Sequence, residues 1–180
     1  MPRGVKVRVL SWAMHKNSSA ALAVVLDKSK TFILLVKRRD VPMWVLPGGG
    51  VEEQESTETA ATREVLEETG IHATSMQLAA EYSTINFFTR DTTLYTAIAK
   101  DGPLFKTNES LDSAFFRPEE FPDNTFMVHK HWIMEILKAK EVIRRPLNEV
   151  SYWNVFKYLI RDPLLFFRYL SSWLGFPINS

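Results

Sequence analysis

The sequence predicts an α/β layered sandwich, because stretches with strand patterning alternate along it with two helical stretches in unlike positions. Two properties of the whole chain bound that reading. Its 180 residues, 46% of them hydrophobic, suffice for one sizeable core and about one domain. A formal net charge of +1 gives no general affinity for polyanions, so no nucleic-acid partner is expected. Cysteine is absent, which excludes disulfides and thiolate metal ligands and suits a reducing compartment. No internal repeat or low-complexity tract interrupts the pattern.

The elements follow in order. Val5, Val7 and Val9 alternate with Lys6 and Arg8, the period of a half-buried strand. That alternation forms no signal-peptide apolar region, and a cytoplasmic protein is expected. Residues 20–26 and 31–36 read as two strands joined by a hairpin turn at Asp27, Lys28, Ser29 and Lys30. Ser56 or Thr57 can cap a helix with Glu58 in its first turn; Ala60, Ala61, Val65 and Leu66 form its inward stripe, and Gly70 ends it. Strands are expected over 76–85, 93–99 and 114–116. Pro118 and Pro122 then break the chain, with Glu119 and Glu120 as helix-start charges, before a helix over 128–142.

Residues 1–142 are read as the principal domain and 143–180 as an aromatic helical extension. Residues 152–160 suggest one helix; Asp162 and Pro163 look like the cap and first position of a second, ending near Gly175. Phe166, Tyr169, Leu170 and Trp173 gather on one side of it, opposite a thin strip of Arg168, Ser171 and Ser172. This segment is too short for the roughly 20 apolar residues of a bilayer span, and too poor in Lys and Arg for a membrane-surface helix. Packing on the domain or in a homodimer interface is the expectation.

The chemistry concentrates in one stretch. Gly48, Gly49 and Gly50 follow Leu46 and Pro47, and a helix crowded with carboxylates comes after them. Glycines let backbone approach a phosphate or metal without a Cβ in the way. On the helix, Glu64 and Glu67 sit at i,i+3 and Glu64 and Glu68 at i,i+4, so their side chains converge. Like charges brought together cost stability unless a cation lies between them, and carboxylate oxygens suit Mg2+. A solvated acidic face would explain the glutamates alone, but not the glycines and the embedded Arg63.

The stretch resembles the Nudix box, Gly-x5-Glu-x7-Arg-Glu-U-x-Glu-Glu-x-Gly-U with U aliphatic. Gly49, Glu55, Arg63, Glu64, Val65, Glu67, Glu68, Gly70 and Ile71 occupy every fixed position. The resemblance implies a Nudix-type α/β/α sandwich with a mixed sheet and the box helix packed against it. It also implies a metal-dependent pyrophosphohydrolase that cleaves a phosphoanhydride of a nucleoside diphosphate linked to another moiety: a nucleoside triphosphate, dinucleoside polyphosphate or nucleotide sugar. Glu64, Glu67, Glu68 and the Gly48 carbonyl would hold Mg2+, with Mn2+ as an alternative ion.

Two residues compete as the base that takes a proton from water: Glu64 in the box, and Glu109 ahead of the short aromatic stretch Ala114, Phe115 and Phe116. Arg63 and Glu55 read as organisers of the ligands, and Gly49 serves loop geometry. Among substrate contacts, Arg38 and Arg39 at a strand end could neutralise phosphates, although solubilising charge accounts for Arg39 at least as well, and Trp44 or Phe88 could stack on a base, although core packing suits each aromatic better. The histidines 15, 72, 129 and 131 show no ligand spacing. Two rival readings are a nucleotide-sensing module of the same fold and a membrane-peripheral protein acting through its last helices.

Overall fold

A computed structural model describes residues 19–86, 89–100, 102–105, 107, 110–150 and 167. The strand expected at 5–9 and, apart from residue 167, the helices expected after residue 151 lie outside these residues.

Strand β1 (Ala20–Leu26) is apolar throughout and buried over its five inner residues, as a strand covered on both faces must be. Its side chains alternate between two layers. Ala21, Ala23 and Val25 face the layer that contains Ala60, Ala61 and Val65 of helix α1 (Thr57–Thr69). Leu22 and Val24 face Val128, Trp132, Ile133 and Ile136 of helix α2 (Met127–Lys138). The sheet therefore lies between the two helices, the α/β/α arrangement the sequence predicts. Complete burial of a residue such as Val65 stabilises by about 1.5–3 kcal/mol.

The remaining strands are β2 (Ile33–Arg38), β3 (Trp44–Val45), β4 (Gly48–Gly50), β5 (Ala73–Ser83), β6 (Thr92–Ala99), β7 (Ser110–Phe116) and β8 (Ile143–Pro146). Their order is β3-β2-β1-β6-β5-β8, with β4 on β1 and β7 on β2. The β1–β6 and β5–β8 pairs are parallel and the others antiparallel, so the sheet is mixed. β1 changes partner along its length: Leu26 pairs with Ile33, whereas Ala20, Ala21 and Leu22 pair with Gly50, Gly49 and Gly48. The opening between β1 and β2 admits the glycine turn, which sequence patterning leaves as a loop and the structure shows as a short strand.

Local chemistry explains the turns and caps. At the β1–β2 hairpin, Asp27 accepts hydrogen bonds from the backbone N–H of Ser29, Thr31 and Phe32 and from the Ser29 hydroxyl. Partial burial opposes its charge, but these donors prevail and hold its carboxyl down at about 2. Ser56 caps α1 by accepting from the Thr59 N–H at 3.1 Å, and Gly70 ends the helix in the left-handed conformation at φ 77°. Leu66 departs from expectation: it is 39% exposed, because one further residue rotates it about 100° off the stripe that ends at Val65.

Helix α2 stops at Lys138 instead of continuing to residue 142. Ala139 is extended, and β8 begins at Ile143 as a partner of β5. The sheet thus takes in residues beyond 142, the position where the sequence reading places the end of the principal domain. Among the described residues, no helix is long and apolar enough to cross a membrane.

Candidate active site

The first two residues of the glycine strand β4 are pressed against β1 and α1, whereas Gly50 faces open space. A Cβ at Gly48 would lie 2.5 Å from the Ala21 carbonyl oxygen, and one at Gly49 would lie 2.4 Å from Glu64 Oε1. Glycine at 49 is what allows the Glu64 carboxylate to lie against the turn. At Gly48 the backbone N–H donates to Glu68 Oε2 at 3.0 Å, tying the turn to the helix; Glu68 is only 8% exposed.

Arg63 organises the rest. Its Nε and Nη2 fork onto the two oxygens of Glu55 at 3.0 Å each, and Nη2 also donates to the Gly50 carbonyl at 3.1 Å. Its Nη1 donates to Glu64 Oε1 at 2.8 Å and to Glu67 Oε2 at 3.3 Å. The hydrogen bond from Arg63 lowers the Glu55 pKa. In turn, Glu55 and then Glu64 raise that of Arg63 against the opposing effect of burial. Two glutamates from successive turns of one helix therefore already share a cationic nitrogen, beside a turn that offers backbone carbonyls. This all-oxygen donor set and its cradle suit a hard divalent cation.

A second tether comes from the distal strand. Ser110 is fully buried, and its Oγ donates to the Glu68 backbone carbonyl at 3.1 Å; the same Oγ accepts from the Thr107 N–H at 3.2 Å. Arg39 donates to the carbonyls of Thr107 and Ser110, both at 3.2 Å, so this expected phosphate contact braces the distal loop. Arg38 forks onto Asp40 at 2.9 and 2.6 Å. Trp44 is 8% exposed, edge-on to Phe116 at 4.9 Å, and belongs to the core on the α2 face. Its ring is enclosed by packing, away from the carboxylates of α1. Glu109 and Phe88 lie outside the described residues.

Sequence reasoning missed Ser110 and His129. The His129 Nδ1 accepts the Leu46 N–H at 3.0 Å, and burial together with the nearby Arg38 charge pushes its pKa down to about 3. Its only signal was a histidine on an amphipathic helix, which says nothing about a contact so distant in the chain.

The oxygens and nitrogen of His131, Glu135 and Glu149 also gather, within 4.8 Å of one another. Arg145 occupies that group: it forks onto Glu135 at 3.1 and 2.7 Å and also contacts Glu149, including at 3.0 Å from Nη1. Tyr82 donates its hydroxyl to Glu135 at 2.9 Å and stacks its ring under the guanidinium at 4.6 Å. The charge is compensated internally, and the group reads as a tether between α2 and the chain after β8.

The fold and the carboxylate-lined turn and helix define an α/β/α sandwich with an acidic, all-oxygen site between the glycine turn and its first helix. The chain belongs to the NUDIX domain family, whose pattern matches residues 16–136. It is 57% identical over 56 residues to a putative 8-oxo-dGTP diphosphatase of Bacillus subtilis (strain 168), covering 31% of this chain and 37% of that protein. To an RNA pyrophosphohydrolase of Dinoroseobacter shibae it is 43% identical over 42 residues, covering 23% and 26%. These alignments span well under half of either relative's length. A NUDIX hydrolase structure from Nitrosomonas europaea superimposes with a TM-score of 0.61 at 22% identity, covering 73% of this chain and 80% of that one, which shows the shared fold.

Proposed function

We propose that the protein is a metal-dependent pyrophosphohydrolase that cleaves a phosphoanhydride bond of a nucleoside diphosphate linked to another moiety. The observation that carries this reading is the Glu64 carboxylate lying against the glycine turn, where Gly49 leaves it room, while the Gly48 N–H is tied to Glu68 of the same helix. Glu64, Glu67, Glu68 and the Gly48 carbonyl would hold Mg2+, with Mn2+ as an alternative. Such an ion neutralises phosphate charge and lowers the pKa of bound water. Arg63 and Glu55 keep the ligands in register, and Glu64 or Glu109 takes the proton from the attacking water.

Nucleoside triphosphates are the first substrates to test, because one relative is named a putative 8-oxo-dGTP diphosphatase. Dinucleoside polyphosphates and nucleotide sugars come next. The test is turnover of a panel that includes 8-oxo-dGTP, with Mg2+, Mn2+ or EDTA, beside Glu67→Gln. The Glu67 side chain is 51% exposed, so the substitution leaves the fold intact. Activity should require the metal and fall roughly 10²- to 10³-fold in the variant, the size of loss expected for one electrostatic stabiliser. Undiminished turnover by Glu67→Gln would sink the proposal.

A further inference from the structure

Three consecutive residues ahead of the box are held by three different elements. Leu46 donates its N–H to His129 Nδ1 of α2 at 3.0 Å, Pro47 accepts at its carbonyl from Ala23 of β1 at 3.0 Å, and Gly48 donates to Glu68 of α1 at 3.0 Å. We propose that His129 is a positioning residue for the metal-binding turn: by accepting the Leu46 N–H it fixes the backbone that leads, through Pro47, to the Gly48 carbonyl. The inference rests on the metal-site reading above and extends it to a helix that carries none of the proposed ligands.

Geometry supports this role. β3 pairing ends at Val45, so the strand offers the Leu46 N–H no partner, and Leu46 itself is 1% exposed. A buried donor must be satisfied, and His129 satisfies this one. The ring is clamped for the purpose: it stacks on Trp132 at 5.1 Å and meets Phe126 edge-on at 5.0 Å, while the Phe126 N–H is tied to the Trp44 carbonyl at 2.9 Å. Because Leu46 is the donor, Nδ1 carries the lone pair and the imidazole proton sits on Nε2. The depressed pKa of the ring agrees with a group kept neutral to accept.

The experiment measures Mn2+ affinity without substrate, by calorimetry, for wild type, His129→Asn and His129→Phe. Asparagine can place Oδ1 near the position of Nδ1, whereas phenylalanine keeps the ring and removes the acceptor. His129→Phe should bind Mn2+ about tenfold more weakly and His129→Asn within about threefold of wild type, in line with other supports of metal ligands. With substrate, the loss in His129→Phe should fall on kcat more than on KM.

Independently of any variant, Mg2+ titration of 15N-labelled wild type should shift the Leu46 amide and the His129 ring nitrogens along the same saturation curve as the Gly48 amide. This arm decides the matter if His129→Phe does not fold. A folded His129→Phe with wild-type affinity, or a Gly48 shift with Leu46 and His129 unmoved, would overturn the inference alone. A wild type that binds no metal would remove the metal-site reading, and the inference with it.

Discussion

A methyl group at position 49 would sit 2.4 Å from a Glu64 carboxylate oxygen, so Gly49→Ala forces that carboxylate off the turn. The side chain is a flexible one and can swing aside. We expect Gly49→Ala to fold, with its melting temperature within a few degrees of wild type, while Mg2+-dependent turnover drops by about 10- to 100-fold. Scanning calorimetry beside steady-state rates checks both halves; equal turnover would show that Glu64 need not lie where it does. The box residues were legible in the sequence because their chemistry is local: Gly49, Glu55, Arg63, Glu64 and Glu67 meet within one turn and one helix. His129 and Ser110 were not, since each acts on backbone 83 and 42 residues away, and no spacing rule reaches that far.

At the scale of elements, what could be read was whatever carried a full period. α1, with its Ser56 cap and Gly70 stop, and β1, with its unbroken apolar run, had enough residues to declare themselves. β3, β4 and β8 did not: they are two, three and four residues long, and their partners alone make them strands. β8 is an instructive case, because Ile143, Arg144, Arg145 and Pro146 fall past the helix expected over 128–142, and only their pairing with β5 makes them a strand, on which Arg145 grips Glu135 and Glu149. Arg145→Met should leave both carboxylates partly buried without that partner and destabilise the fold by about 1–3 kcal/mol. Urea unfolding measures this, and adding Glu135→Gln should restore part of the loss; a variant as stable as wild type would mean that the network contributes no net stability.

For the molecule as a whole, the lowered carboxylates and the buried neutral His129 set the response to acid. The Arg63 hydrogen bond lowers the pKa of Glu55, the Arg145 hydrogen bond lowers that of Glu135, and Arg145 lowers that of Glu149 against opposing burial, all from an ordinary 4.5. Asp27 goes from 3.8 to about 2. Groups depressed in the folded state bind protons more readily when unfolded, so their contribution is complete above their ordinary values and drains away as pH falls below them. His129, held neutral with its pKa lowered from 6.5 to about 3, adds a loss of its own, so the melting temperature should begin to decline as pH falls below about 6.5 and fall more steeply below about 4.5, where the carboxylates join; a stability that rose on acidification below pH 4.5 would contradict the assignment.

The partner change along β1 also keeps the cradle's contacts close together in the chain. Glycine strand, β1 and box helix all lie between Ala20 and Gly70, whereas β1 meets β6 across pairs such as Ala20 with Thr92. Short chain loops close sooner and at lower entropic cost than long ones. The contacts that shape the ligand cradle therefore span short loops, while Ser110 and His129 fasten it from far along the chain.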